Sequence, residues 1–307
     1  MTSLVIGAQG FIGSHLVDFL LARGDHVVAA GRSSPPVREG VLNRRLDILD
    51  AQSVQSLLAE CQPDEVYHLA AQSFPTVSWE DPKATFRVNV DGTLNVLDAL
   101  RDTQKPARMV FASSSSIYAQ HPEEQPIRED GPLLPSSPYG VSKLAAEQLV
   151  RLYALRDGLP AVIVRPFFLI GPRKIGDVCS DWARSIAEVE RGMRAELSVG
   201  NLDVVRDFLP VEDGVRGLAL AAERGRSGES YNISSGRGVN LREVLGLFAA
   251  SAGCAVPVRI DPNLLRPVDE RVKIGDNSRL RALGWTPSDG VGDAIKRTLE
   301  YWRRIVS

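Results

Sequence analysis

Tyr139 and Lys143, four residues apart in "SSPYGVSKLAAEQL", have the chemistry of a proton-transfer pair. At i and i+4 they project from one face of a helix. An ammonium beside a phenol lowers its pKa from about 10 toward the working pH, which makes the tyrosine a usable proton donor or acceptor. Alone, such a pair is commonly incidental. It gains weight from the upstream run "FASSSSIY", which reads as a strand ending in hydroxyls. Parallel sheets hold their ligands at the carboxyl ends of their strands, so a serine there can bind the substrate oxygen that Tyr139 protonates.

A second constellation lies at the N-terminus. "GAQGFIG" places Gly7, Gly10 and Gly13 at three-residue intervals, directly after an apolar strand and opening a helix. Glycines there allow a tight turn, a close approach of backbone to a pyrophosphate and close packing of helix on sheet. The helix N-terminus adds unpaired N–H groups and a favourable dipole. The end of the second strand reports on the cofactor's ribose, because an acid accepts from a 2′-hydroxyl whereas an arginine accommodates a 2′-phosphate. The chain reads "AAGRSS" there, with Arg32, Ser33 and Ser34 and no acid. NADP(H) is therefore the expected cofactor, with NAD(H) a second candidate.

The elements that must position these groups follow from the pattern. "SLVIGA", "HVVAAG", "EVYHLAA", "ARMVFAS" and "PAVIVRP" read as strands, and between them apolar residues recur at helical spacing over 10–24, 51–61, 85–102 and 139–158. Gly24 and Gly158 sit where helices should stop. This alternation predicts an α/β fold, a Rossmann-type doubly wound parallel sheet. After residue 168 the pattern loosens into loops and three helical stretches, as expected of a smaller C-terminal substrate-binding lobe. The expected division is 1–168 for the cofactor domain, with a segment near 209–235 returning to it, and 169–307 mainly for the lobe. The 307 residues carry a net charge of −2 without a basic cluster, which disfavours nucleic acid or an anionic membrane as partner. No apolar run reaches the roughly 20 residues of a membrane span. No signal-peptide pattern opens the chain, so a cytoplasmic location is expected. Cys61, Cys179 and Cys254 are few and scattered, which predicts buried small residues rather than disulfides. His68 reads as a core imidazole, Trp182 and Phe86 as packing residues, and the histidines lack metal-ligand spacing.

The order "GAQGFIG", "HLAAQS", "NVDGTLNVLDAL", "FASSSSIY", "SPYGVSK", "RPFFLIGP" resembles the extended short-chain dehydrogenase/reductases that act on nucleotide sugars, over essentially the whole chain. The resemblance implies a catalytic set of Ser114, Tyr139 and Lys143, with Ser114 four residues before Tyr118. It implies that Gly7, Gly10, Phe11, Ile12, Gly13, Arg32, Ser33, Asp47, Ile48, Leu69, Ala70, Ala71, Asn89, Tyr139, Lys143 and Pro166 contact the cofactor, Asp47 at the adenine and Asn89 as a support of the site. "VGNLDVVRDFLPVEDGVRG", "DPNLLRPVDERVKIGD" and "LGWTP" are similar to the GDP-4-keto-6-deoxy-D-mannose reductases and GDP-mannose 4,6-dehydratases. By that likeness Arg206 and Arg266 hold the nucleotide diphosphate, Asp269 holds the ribose, and Ser114, Ser115 and Phe168 face the sugar nucleotide. Arginine pairs bidentately with phosphate oxygens, which agrees with those assignments. Helices around 84–103 and 139–157 pair across a homodimer interface in such enzymes.

Two departures from the family pattern carry information. The dehydratases place a glutamate two residues before the tyrosine of "FASSSSIY", where this chain has Ser116, a far poorer base. Phe168 stands where the family has an asparagine that touches the sugar nucleotide. The expected activity is therefore NADPH-dependent reduction of the C4 ketone of a nucleotide-activated 4-keto-6-deoxyhexose, with GDP-4-keto-6-deoxy-D-mannose to GDP-D-rhamnose as the specific expectation. A nucleotide-sugar 4-epimerase with tightly bound NAD is the rival enzyme. A non-catalytic NADP(H)-sensing protein is the rival from another class.

Overall fold

The computed structural model describes residues 1–33, 39–120, 125–265, 270–287 and 290–306. Strands β1 (Thr2–Ile6), β2 (His26–Gly31), β3 (Val41–Arg45), β4 (Glu65–His68), β5 (Arg108–Ala112) and β6 (Ala161–Pro166) join the segment Ser230–Ile233 in one seven-stranded sheet. From edge to edge the order is Ser230–Ile233, β6, β5, β4, β1, β2, β3, and every neighbouring pair is parallel. The chain reverses its direction of travel between β1 and β4, which opens a ligand crevice beyond their carboxyl ends. Both faces of the central strands are covered, so these strands read as continuous apolar runs rather than alternating ones.

One face packs on α1 (Phe11–Arg23) and on the helix Val211–Arg224, around Leu16, Leu20, Val215 and Leu218. The other packs on α2 (Ala51–Cys61) and on two later helices, around Leu58, Leu97, Leu100 and Val150. Between α2 and those helices lie the short α3 (Pro75–Glu80) and α4 (Pro82–Phe86). The continuous helix expected over 85–102 is instead α4, a π turn at Arg87–Asp91 and α5 (Gly92–Arg101). Next comes the long α6 (Pro138–Arg156), capped by the Ser137 side chain on the Gly140 N–H. Gly24 ends α1 in the left-handed region at φ 88°, its N–H satisfying the Leu20 and Leu21 carbonyls.

The remaining chain builds a third core from helices Val178–Glu190, Leu241–Ser251 and Val291–Ile305, packed around Trp182, Phe248 and Trp302. Short strands stitch it to the sheet. Phe168–Ile170 pairs in parallel with Phe208–Pro210, and Val205–Arg206 lies between Val239–Asn240 and Val272–Lys273. Two packing expectations are corrected: Phe86 is 37% exposed, and of the cysteines Cys254 lies on the surface and Cys61 is half-buried, whereas Cys179 and Trp182 are buried. Among the described residues no helix is long and apolar enough to cross a membrane.

Candidate active site

The carboxyl edge of β5 turns at Ser113 and Ser114, and a single 3-10 turn, Ser115–Ile117, follows. Ser114 Oγ accepts the Ser116 N–H at 3.1 Å, which orients its hydroxyl, and the Tyr139 phenol lies close enough to the same side chain to feel it. Tyr139 comes from the first turn of α6 and is 9% exposed; Lys143, one turn on, is 3% exposed. The three expected catalytic groups thus gather against one strand end. Gly140 makes the approach possible: a Cβ there would lie 2.5 Å from the Ser116 carbonyl oxygen.

The electrostatics differ from the simple expectation for a phenol beside an ammonium. Burial pushes the Tyr139 phenol above its ordinary value, with the neighbouring Ser114 hydroxyl working the other way. The burden falls on the lysine, whose amine is pulled down to about 7 by burial, opposed by the charge of Glu147. Its Nζ lies 4.4 Å over the Phe111 ring, a contact that favours the cation. His68, which the sequence reads as a core imidazole, is buried and bonded to Thr93 Oγ1 at 3.0 Å; burial lowers it to about 3, so it is neutral.

The glycine turn fits a dinucleotide. Gly7 has φ 93°, and a Cβ on it would lie 2.7 Å from Ala70 N; one on Gly13 would lie 2.2 Å from the Gly7 carbonyl oxygen. Gly7 holds the turn against Leu69 and Ala70 of the β4 end, and Gly13 packs the start of α1 onto the turn itself. Gly10 caps α1 with no side chain, which leaves the first-turn amides of Phe11, Ile12 and Gly13 at a bare helix N-terminus. Arg32 and Ser33 are exposed just past β2, and Gln9 Nε2 donates to the Ser33 carbonyl at 2.7 Å. Asp47 is exposed at the β3 end and accepts the Leu49 N–H at 3.0 Å; Ile48 is buried under α5, with its carbonyl held by Asn95. Ala71 and Pro166 are half-buried at the ends of β4 and β6. Asn89 lies in the π turn, and its amide is committed to the Gln72 backbone at 2.8 and 3.0 Å and to Ser142 Oγ at 2.9 Å. It ties the β4 end to α6.

On the lobe side, Ser115 is half-buried in the 3-10 turn, and Arg206 is half-buried with its Nη1 donating to the Val205 carbonyl at 2.9 Å. Arg266 and Asp269 lie outside the described residues. Phe168 packs edge-on against Phe208, ring centres 4.8 Å apart. Lys174 Nζ sits 4.1 Å over the Phe168 ring and 5.3 Å over that of Phe11, so a cation between two rings borders the position where an asparagine was expected.

Sequence reasoning missed Lys174 and, next to the reacting groups, an interior polar cluster. Glu147 and Arg165 are 0% and 1% exposed and bonded bidentately at 2.6 and 3.1 Å. Asp207 was also missed; it is buried and accepts from the backbone N–H groups of Ser235, Gly236 and Gly275. Charged residues read as surface in a sequence. The signal was available for Glu147, which continues the four-residue spacing of Tyr139 and Lys143 along α6.

Comparison with known proteins fits this geometry. The family of GDP-mannose 4,6 dehydratase matches residues 4–298. The chain belongs to that family. It is an NAD(P)-dependent enzyme of the extended short-chain dehydrogenase/reductase type. It is 34% identical to the GDP-6-deoxy-D-mannose reductase of Pseudomonas aeruginosa over 306 residues, 98% of this chain and 97% of that protein. The solved structure of RMD from Pseudomonas aeruginosa complexed with NADPH superposes with a TM-score of 0.88 at 33% identity, covering 99% of this chain and 100% of that one. UDP-glucose 4-epimerase from Thermus thermophilus, solved with NAD, superposes at 0.90 with 34% identity and 99% of both chains.

Proposed function

We propose that the chain is an NADPH-dependent ketoreductase acting at C4 of a nucleotide-activated 4-keto-6-deoxyhexose, with GDP-4-keto-6-deoxy-D-mannose to GDP-D-rhamnose as its reaction. The observation that carries this reading is the gathering of the Tyr139 phenol, the Ser114 hydroxyl and the buried amine of Lys143 at the end of β5. The glycine turn, Arg32 and the β4 end hold NADPH, which when bound supplies a hydride to C4. Tyr139 gives its hydroxyl proton to the forming alkoxide, so the ketone gains one hydride and one proton and becomes a secondary alcohol. The raised phenol keeps that proton at neutral pH, the state a reductase needs. Ser114 orients the carbonyl, and Lys143 offers an amine to a nicotinamide-ribose hydroxyl. Arg206 and Arg266 pair with the diphosphate, and Asp269 with the ribose. Ser116, in the place of the dehydratase's glutamate, is a far poorer base for elimination. The similarity to a reductase and to a structure holding NADPH points the same way.

The test is NADPH oxidation on addition of GDP-4-keto-6-deoxy-D-mannose, with a loss of at least about a hundredfold in Tyr139→Phe. Turnover at the wild-type rate in that variant would sink the mechanism. The similarity to an NAD-holding 4-epimerase favours a second reading, an epimerase without net redox change. NAD firmly retained through purification, with interconversion of sugars in the absence of added cofactor, would establish it.

Two further proposals attach to this reading. The cysteines are free thiols, as a reducing cytoplasm maintains them, and the enzyme works there. A groove of about 500 Å³ lined by Trp79, Phe86, Pro135 and Val141, with Leu152 and Leu155 exposed on α6, is the face through which two copies pair. Sedimentation of Val141→Asp as a monomer, against a wild-type dimer, checks it.

A further inference from the structure

Tyr139, Lys143, Glu147 and Arg151 follow one another at four-residue intervals along α6, and the first three are buried. An interior carboxylate costs several kcal/mol in lost hydration, and an apolar replacement of a buried ion pair is often as stable. Retaining one beside the reacting groups calls for another reason. Every lone-pair direction of Glu147 is used. Oε1 accepts from Arg165 Nη2 at 2.6 Å and Arg151 Nη2 at 3.1 Å; Oε2 accepts from Arg165 Nε at 3.1 Å and Ser113 Oγ at 2.6 Å. Arg165 in turn donates to Tyr118 Oη at 2.7 Å and to the Glu129 carbonyl at 2.8 Å, and Tyr118 donates to Asn232 Oδ1 at 2.7 Å. One carboxylate therefore joins α6 to β5, to β6 and, through Arg165, to the turn that follows Ser114. Ser113 is gripped twice, its N–H by the Val164 carbonyl at 2.8 Å and its hydroxyl by Glu147.

We infer that Glu147 is a positioning residue: it clamps the β5 end to α6 and so sets Ser114 at its working distance from Tyr139 and Lys143. The inference rests on the reading of those three as the reacting groups. A plain scaffold would fix distances only, whereas this carboxylate also acts by charge on Lys143. The groups facing Lys143 are His68 of β4, which is neutral, the Phe111 ring of β5, and Tyr139 and Glu147 of its own helix. Glu147 is thus the anion that favours the lysine's charged form, against burial.

Two variants of the full-length protein test this. Ser113→Ala removes one arm of the clamp and leaves the ion pair; it should lower kcat about tenfold while KM for the sugar nucleotide and the Kd for NADPH stay within about twofold. Glu147→Gln should shift the Lys143 titration, followed by NMR of lysine labelled at Cε, downward by about one pH unit. That arm needs no substrate. Wild-type kcat in Ser113→Ala, or an unmoved Lys143 titration in Glu147→Gln, overturns the inference. Should Glu147→Gln fail to fold, Ser113→Ala decides alone. Failure of the reaction reading shows separately, as wild-type turnover in Tyr139→Phe.

Discussion

On the proposed reading, the glycine turn and the C-terminal lobe hold their anions in different ways. At the turn, backbone does the holding: Gly7 and Gly13 approach neighbouring main chain so closely that a methyl group has no room, and the donors are amides of α1. In the lobe, Arg206 sits on a strand of two residues between two other two-residue strands, and its reach comes from a long side chain. Backbone placement is rigid and tolerates no substitution. Side-chain placement tolerates change in shape but depends on scaffolding such as Asp207, whose carboxylate ties three loop amides together.

The comparison is broken most directly by Gly13→Ala. Its methyl would meet the Gly7 carbonyl at 2.2 Å, so the turn must open; we expect loss of NADPH binding and a destabilisation of at least about 3 kcal/mol in urea unfolding. Lys143→Met comes next. The amine titrates at about 7 in the folded protein against 10.5 ordinarily, so between those values the unfolded chain holds a proton that the folded one lacks, and stability rises with pH across the window. The variant lacks this rise. Wild type should therefore gain on it by on the order of a few kcal/mol between pH 7 and 10, and a pH-independent difference would show that the amine is not buried as described. Arg206→Ala should raise KM for the sugar nucleotide about a hundredfold with NADPH affinity unchanged, since it removes a charge-assisted contact to phosphate. Arg32→Ala should narrow the preference for NADPH over NADH about tenfold; an unaltered ratio would move the 2′-phosphate contact elsewhere.

Legibility in the sequence follows the same divide. The glycine turn, the Tyr–Lys spacing and the core strands are local patterns, and the structure brings their residues together. Strand β3, "VLNRR", escaped because its residues are only partly buried and two arginines close it, one of them paired to Glu60. Although the stretch near 209–235 is expected to return to the cofactor domain, the strand Ser230–Ile233 does not read as one, for the opposite reason. It is wholly buried, yet Ser230 and Asn232 are polar, and their partners are Arg151, Tyr118 and Glu129, far away in sequence. Glu147 and Arg165 share that character: each reads as a solvated charge until the other is placed beside it. The π turn at Arg87–Asp91 carries no period of its own, so it read as ordinary helix.

Gly31 closes β2 with no side chain, and the space a Cβ would occupy there is filled by the amide of Gln9, which reaches on to the Ser33 carbonyl. The loop proposed to meet the adenosine end of the cofactor is therefore moored to the glycine turn itself. Anyone re-engineering this enzyme for a cheaper coenzyme would have to redesign residues 9, 31 and 32 as a unit, because an acid installed at position 32 alone inherits a main-chain path already dictated by a glutamine from the adjoining turn.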